Sequence, residues 1–308
     1  MTVSKKESDK RLFVVLGPTA VGKTATCLAL AVHLRSPVIS ADSRQIFKGL
    51  SIGTAAPTVA EQARARHYFV GTLALESPYS AARYGEDALS LIRSLFETHD
   101  NLVLSGGSLL YVDAVLGKID DLPVVLPETR LRVRSMLEEQ GLESLVGLLC
   151  RLDPLSAGRI DVRNPRRVTH ALEICLQTSR PYSSFLGKEK PRLPFRTIKI
   201  GLYRTRSDLY ARIDRRVEAM IDAGLVDEAR RLLPYRSLNA LNTVGYKETF
   251  EYLDGRLTLR QAAARICHNT HVYARKQLTR LAHYPDLVIF AADKTDAVLR
   301  YIDGQVAN

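Results

Sequence analysis

From Gly17 onward the chain reads Gly17-Pro18-Thr19-Ala20-Val21-Gly22-Lys23-Thr24, which fits the pattern G-x-x-x-x-G-K-[ST]. The β-branched run Arg11 to Leu16 in front of it predicts a buried strand. Behind it, Cys27, Leu28, Leu30, Ala31 and Leu34 recur at helical spacing. A phosphate-binding P-loop between a strand and a helix points to an α/β fold with that loop at the carboxyl edge of the sheet. Glycines let backbone N–H groups close around phosphate oxygens and the helix N-terminus adds partial positive charge. Lys23 reaches a phosphate, and Thr24 can coordinate Mg²⁺.

The remaining pattern extends that unit. Pro37 to Ala41 and Asn101 to Leu104 predict further strands, each running into a polar or glycine-rich turn: Asp42-Ser43-Arg44 and Gly106-Gly107-Ser108. Ser80 to Thr98 reads as an amphipathic helix between them. Alternating strands and helices imply a parallel sheet with helices on both sides. From Pro127 to about Leu186 the strand signal gives way to helical segments punctuated by Gly141, Asp153-Pro154 and Asn164-Pro165. Strands return at Thr197 to Tyr203 and Leu287 to Ala291, followed or preceded by long helices over Ser207 to Ala223 and Thr258 to about His283. The expected organisation is a core begun by residues 8–126, a helical insertion over 127–195, and a core completed with C-terminal helices by 196–303.

With 308 residues, 46% of them hydrophobic, the chain can bury a sizeable core. No segment approaches the roughly 18 apolar residues of a membrane span, and Met1 to Arg11 lack the apolar stretch of a secretory signal. The cytosol is the expected compartment, with no membrane association and no obligate protein partner. The cysteines, Cys27, Cys150, Cys175 and Cys267, are widely spaced without a Cys/His ligand cluster, so buried reduced thiols are expected. A net charge of +11 favours an anionic partner, nucleic acid or a small anion.

The turns after the strands carry the chemistry. In a nucleotide hydrolase an acidic strand end holds Mg²⁺ and a catalytic water. The Asn101 to Leu104 strand ends instead in Ser105-Gly106-Gly107-Ser108, small residues that permit close approach of a ligand. The acid falls after the second strand, at Asp42. It fits either a turn or cap aspartate or, across a cleft from Lys23, a general base.

These motifs resemble the tRNA dimethylallyltransferases, also called tRNA isopentenyltransferases, of bacterial type. The P-loop, Ser40-Ala41-Asp42-Ser43-Arg44-Gln45-Ile46-Phe47, Ile52-Gly53-Thr54-Ala55-Ala56-Pro57 and Gly106-Gly107-Ser108-Leu109-Leu110-Tyr111 follow the family's order and spacing. Asn164-Pro165-Arg166-Arg167-Val168, Leu209-Tyr210-Ala211-Arg212-Ile213, Val244-Gly245-Tyr246-Lys247-Glu248 and Tyr273-Ala274-Arg275-Lys276-Gln277-Leu278 extend the match over nearly the whole chain. Ser108 stands where threonine is usual, and His271 and Arg280 where arginine and tryptophan are usual. The Cys/His zinc finger of eukaryotic relatives is absent, which favours the bacterial type.

The resemblance implies a P-loop NTPase-like parallel sheet carrying an all-helical insertion. It also implies transfer of a dimethylallyl group from dimethylallyl diphosphate to the exocyclic amine of the adenosine 3′ to a tRNA anticodon, with diphosphate leaving. The P-loop, residues Gly17 to Thr24, then holds diphosphate. By this likeness Asp42 accepts the amine proton, Lys23, Arg212 and Mg²⁺ on Thr24 stabilise the leaving group, and Ser108 positions base or donor. The tRNA contacts implied near the acid are Asp42, Ser43, Arg44, Gln45 and Ser108. Farther along they are Arg130, Arg166, Arg167, Val168, Thr169 and His170, then Gly245, Tyr246 and Lys247, then Arg275 and Lys276. Cations at Arg159, Arg163, Arg166 and Arg167, and along the last long helix from Arg260 to Arg280, would meet the phosphates of an anticodon stem-loop. That helix is expected to bury Leu259, Ala263, Ile266 and Leu278. An alternative is an isopentenyltransferase acting on free AMP or ATP, which would not need a large basic insertion. A small-molecule kinase and a nucleotide switch fit the motifs less well.

Overall fold

The computed structural model describes residues 10–187 and 192–307. The charged stretch at residues 1–9, where the core was expected to begin at residue 8, lies outside them. The elements run β1 (Arg11–Leu16), α1 (Lys23–Leu34), β2 (Val38–Ser40), α2 (Val59–Arg64), β3 (His67–Tyr68), α3 (Ala81–Leu95), β4 (Asn101–Gly106) and α4 (Leu109–Val115). They continue with α5 (Pro127–Leu152), α6 (Pro154–Arg159), α7 (Pro165–Thr178), β5 (Arg196–Tyr203), α8 (Arg206–Asp222), α9 (Leu225–Leu232), α10 (Tyr246–Leu253), α11 (Leu259–Leu281), β6 (Leu287–Ala291) and α12 (Thr295–Ala307). Two compact units result: one built from the chain up to Leu116 and from Leu193 onward, the other from Gly117–Arg192.

The first unit is built on a six-stranded sheet in the order β3-β2-β4-β1-β5-β6, every pair parallel. β1 lies between β4 and β5 and is buried along its length. Its alternate residues divide between the two faces: Leu12, Val14 and Leu16 pack in one core cluster, Phe13 and Val15 in the other. Both faces are therefore covered by helices, which is why the strands read as continuous apolar runs. Parallel pairing also aligns the carboxyl ends of β1, β2 and β4, so the loops after Leu16, Ser40 and Gly106 emerge along one edge.

The second unit buries Val133, Leu145, Leu149, Val168, Ala171, Leu172 and Cys175 in a core of its own. α5 breaks at Gly141, whose φ of 76° belongs to the left-handed region. The unit begins ahead of residue 127 because the preceding strand-like segment is tied in. Val125 packs with Ile174 and Phe185, and Gln177 accepts from Leu126 N (2.7 Å) and donates to Val124 O (2.7 Å). Asn164 caps α7 by accepting from Arg166 N and Arg167 N at 3.1 and 3.4 Å, with Pro165 as the first helical residue. Among the described residues, no helix is long and apolar enough to cross a membrane.

Three expectations are corrected. Cys150 is exposed rather than buried. α11 does not bury Leu278, which is 40% exposed; its inner face carries Ala262, Ile266, Ala274, Gln277 and Leu281. Three of its expected cations are engaged as well, the first being Arg265, whose Nη1 donates to Glu251 Oε2 at 2.6 Å. Arg280 pairs with Asp113, which also accepts from Tyr284, and the His271 ring stacks on Tyr210 at 4.0 Å with Nε2 lying 2.9 Å from Asp214 Oδ1.

Candidate active site

The loop between β1 and α1 is shaped by backbone conformation. Gly22, at φ 116°, forms the left-handed N-cap of α1, and Ala20 also adopts positive φ, 62°. Carbonyls of the loop are held from outside: Arg212 Nε donates to Ala20 O at 3.0 Å and Arg204 Nε to Val21 O at 2.8 Å. Lys23 Nζ donates to Gly17 O (2.9 Å) and Pro18 O (2.8 Å), lying along the inside of the loop. Burial first, and then the nearby Arg216, lower the Lys23 ammonium to about 8, against the opposing pull of Asp42.

After β2, Asp42 occupies a tight turn in which Oδ1 accepts from Arg44 N (2.9 Å) and Gln45 N (3.2 Å). The turn-aspartate reading and the general-base reading are thus compatible, because Oδ2 faces elsewhere. A Cβ built on Gly107 would lie 3.9 Å from Asp42 Oδ2 and 3.9 Å from Lys23 Nζ. Carboxylate and ammonium therefore converge on one point over the turn after β4. Ser108 joins that turn to the one after β2: its Oγ accepts from Ser43 N at 2.9 Å and donates to Ser43 Oγ at 3.0 Å, locking the two loops together.

Around this point open two adjoining cavities of about 710 and about 490 Å³, both lined by Thr19, Asp42, Thr54, Ala55, Arg216 and Tyr273. The larger contains the P-loop residues Ala20, Gly22, Lys23 and Thr24 together with Arg212. The smaller reaches Ser43, Arg44, Ser108, Gly245 and Lys247. The motif Ile52 to Pro57 forms a shared wall. Gln45 Nε2 donates to Thr54 O and Ala55 O (3.1 Å each), and Arg44 Nη1 donates to Asn239 O at 2.5 Å.

Two residues expected to touch RNA offer it no side chain. Val168 is wholly buried in the helical unit's core. Tyr246 is also wholly buried, its hydroxyl donating to Glu228 Oε1 at 2.7 Å. Arg130, Arg166, Arg167, Lys247, Arg275 and Lys276 are exposed, whereas Thr169 donates to Arg166 O and His170 lies 3.5 Å from Glu173.

Three functional groups escaped the sequence reading. Gln277, 5% exposed, accepts from Thr19 N (2.8 Å) and donates to Gly107 O (2.8 Å), stapling the P-loop to the β4 turn. Its signal was available: it shares the helical face of Ile266, Ala274 and Leu281. Glu228 accepts from the backbone N–H groups of Ser51, Ile52 and Gly53 at 2.9 to 3.1 Å and so fixes the cavity wall. Arg216 lines both cavities one turn beyond Arg212.

The IPP transferase family model matches residues 45–283. The chain is 48% identical over 291 residues to tRNA dimethylallyltransferase 1 of Phocaeicola vulgatus, covering 94% of this chain and 97% of that one. The chain belongs to the IPP transferase family. It is also 51% identical over 271 residues to tRNA dimethylallyltransferase 2 of Porphyromonas gingivalis, covering 88% and 90% of the two chains. Among solved structures it is similar to the full-length tRNA isopentenylpyrophosphate transferase of Bacillus halodurans, with a TM-score of 0.71, 32% identity and 97% of each chain covered. A eukaryotic dimethylallyltransferase acting on tRNA shares the fold at a TM-score of 0.80 and 24% identity, over 92% of this chain and 74% of that one.

Proposed function

We propose that this chain is a tRNA dimethylallyltransferase in which Asp42 and the P-loop face each other across the reacting atoms. The observation that carries the reading is the shared approach of Asp42 Oδ2 and Lys23 Nζ to one point above Gly107. A base and a leaving-group stabiliser must flank the same centre when an amine displaces a diphosphate. The exocyclic amine of adenine attacks the allylic carbon of dimethylallyl diphosphate, its new N–C bond forming as the C–O bond breaks. The amine proton passes to Asp42 Oδ2, and diphosphate departs into the loop of Gly17 to Thr24.

Lys23, Arg212 and the P-loop amides oppose the charge that grows on the leaving oxygen. Mg²⁺ would fit here: Thr24, which lines the larger cavity, would hold it through its hydroxyl, a hard oxygen donor of the kind this ion prefers. When bound it would neutralise part of the diphosphate charge. The target base must leave its stack to enter a cavity of this depth, and Tyr273 at the junction offers an aromatic face. The exposed arginines Arg166 and Arg167 of the helical unit support a role for that unit in holding RNA phosphates. No membrane association is part of this reading.

The test supplies labelled dimethylallyl diphosphate with tRNA or with AMP as acceptor. Label is expected on tRNA and to be lost in Asp42→Ala, with tRNA affinity kept. Transfer to AMP instead, or near-normal transfer by the variant, would refute the reading.

A further inference from the structure

Asp42 and the P-loop set where an amine reacts, but not which base carries it. A carboxylate and a phosphate loop would serve the amine of adenine, cytosine or guanine alike. A group that chooses among them must hold a fixed pattern of donors and acceptors against a base edge. Asn269 holds such a pattern. It lies on α11 four residues before Tyr273, so the two side chains share a helix face, and both line the smaller cavity with Asp42 and Ser108. Its Nδ2 donates to Glu248 Oε1 at 2.7 Å. Glu248 is buried in the first turn of α10, and its other oxygen accepts from Gly245 N at 2.8 Å.

An ionised carboxylate only accepts, so the amide must turn its nitrogen toward Glu248. Its oxygen, Oδ1, is left with no partner among the described residues. Glu248 takes one of the two amide hydrogens; the other, with Oδ1, makes a donor–acceptor pair in the cavity wall. Adenine carries the complement on both edges, an amine hydrogen beside N1 and an amine hydrogen beside N7. On the Watson–Crick edge of guanine a ring N–H stands beside the amine and would oppose the amide N–H. The adenine amine also has two hydrogens to place. One passes to Asp42 as the new N–C bond forms and the C–O bond to diphosphate breaks, and the other stays on nitrogen and needs an acceptor. We propose that Asn269, held in one orientation by Glu248, recognises the acceptor as adenine, Oδ1 accepting the amine hydrogen that stays and Nδ2 donating to the ring nitrogen beside it. This rests on the reading of the chain as a transferase acting on an adenosine of tRNA.

The experiment supplies labelled dimethylallyl diphosphate with anticodon stem-loop RNAs carrying adenosine, 1-deazaadenosine or 7-deazaadenosine at the target position. Each analogue keeps the amine and replaces one ring nitrogen by C–H. The quantity measured is kcat/KM for wild type, Asn269→Leu and Glu248→Gln. Wild type should lose about 5- to 150-fold on one of the two analogues, because the amide N–H is left facing C–H. Asn269→Leu has no such N–H and should treat adenosine and that analogue within about 3-fold of each other. In Glu248→Gln the new side chain keeps its oxygen on Gly245 N and turns its nitrogen to Asn269, which must then reverse. Discrimination should shrink there too, with Asn269 unchanged and the helix cap kept, and this variant carries the test if Asn269→Leu does not fold. An Asn269 kept for structure alone would lower transfer to all three RNAs by one factor and leave the wild-type ratios, which overturns the inference. So does a wild type that accepts both analogues as readily as adenosine. If wild type transfers nothing to the adenosine stem-loop, the reading of the function is wrong; if it transfers and neither variant moves the ratios, only the role of Asn269 fails.

Discussion

Replacing Glu228 by leucine should unfold the wall of the active-site cavity. The carboxylate is 4% exposed and accepts from three backbone N–H groups, those of Ser51, Ile52 and Gly53, and from the Tyr246 hydroxyl. Leucine keeps much of the volume and strands all of these donors. At the low end of about 1 kcal/mol per stranded group, four groups give about 4 kcal/mol. For a protein of this size that corresponds to a fall in melting temperature on the order of 8–16 °C. Thermal unfolding followed by circular dichroism measures it directly. Tyr246→Phe, which removes one of the donors instead, should cost about 1 kcal/mol, and the double variant should show coupling, since the two groups share a bond. Burial, and then the Glu228 carboxylate, hold the Tyr246 phenol far above its usual range, so the phenol keeps the proton it donates at alkaline pH. A loss below about 1 kcal/mol for Glu228→Leu would refute the argument, because an average point substitution costs as much.

Gln277→Leu should slow transfer by more than tenfold while lowering stability by only about 2 kcal/mol, since it frees Thr19 N and Gly107 O at the reacting centre; single-turnover rates beside denaturant curves separate the two effects. Arg166→Ala combined with Arg167→Ala should reduce the slope of log affinity for tRNA against log salt by about 1.4–1.8, measured by filter binding, and an unchanged slope would place the phosphate contacts elsewhere. The Lys23 ammonium, lowered to about 8 from an ordinary 10.5, is less stable charged in the fold than in the unfolded chain. Its cost is present below about pH 8 and is relieved as pH rises toward 10.5, so metal-free wild type should gain stability relative to Lys23→Met across that window. A flat difference between the two melting curves would contradict it.

The parts legible in the sequence are those with a short-range physical signature. Gly22 and Lys23 declare the P-loop because glycine spacing and the flanking strand and helix occur within about twenty residues, and Asn164-Pro165 declares the start of α7 by the same local logic. β3 left no such mark: two residues, His67 and Tyr68, cannot display an alternation. Gln277 is half legible: it shares the helical face of Ile266, Ala274 and Leu281, but only its partners, Thr19 and Gly107, far away in sequence, show why burial suits a glutamine there. Val168 and Tyr246 show the converse: each is buried beside an exposed cation of its motif, Arg167 or Lys247, and a motif does not say which of its members face inward. Arg216 carries no motif signal of its own, and its place in the lining of both cavities follows only from the packing of α8.

The staple made by Gln277 also bears on the order in which a ribosome can complete this protein. Gln277 is made 258 residues after Thr19. β1 meets the same delay, since its partner β5 begins only at Arg196. Until then one edge of the most buried strand has open backbone groups and invites pairing with other chains. A nascent chain therefore carries the P-loop sequence through the 258 residues that separate Thr19 from Gln277 before the loop is stapled, and the finished cavity arrives abruptly once α11 has cleared the exit tunnel. Proteolysis of stalled chains ending before and after α11 would show that step as a sudden gain of protection.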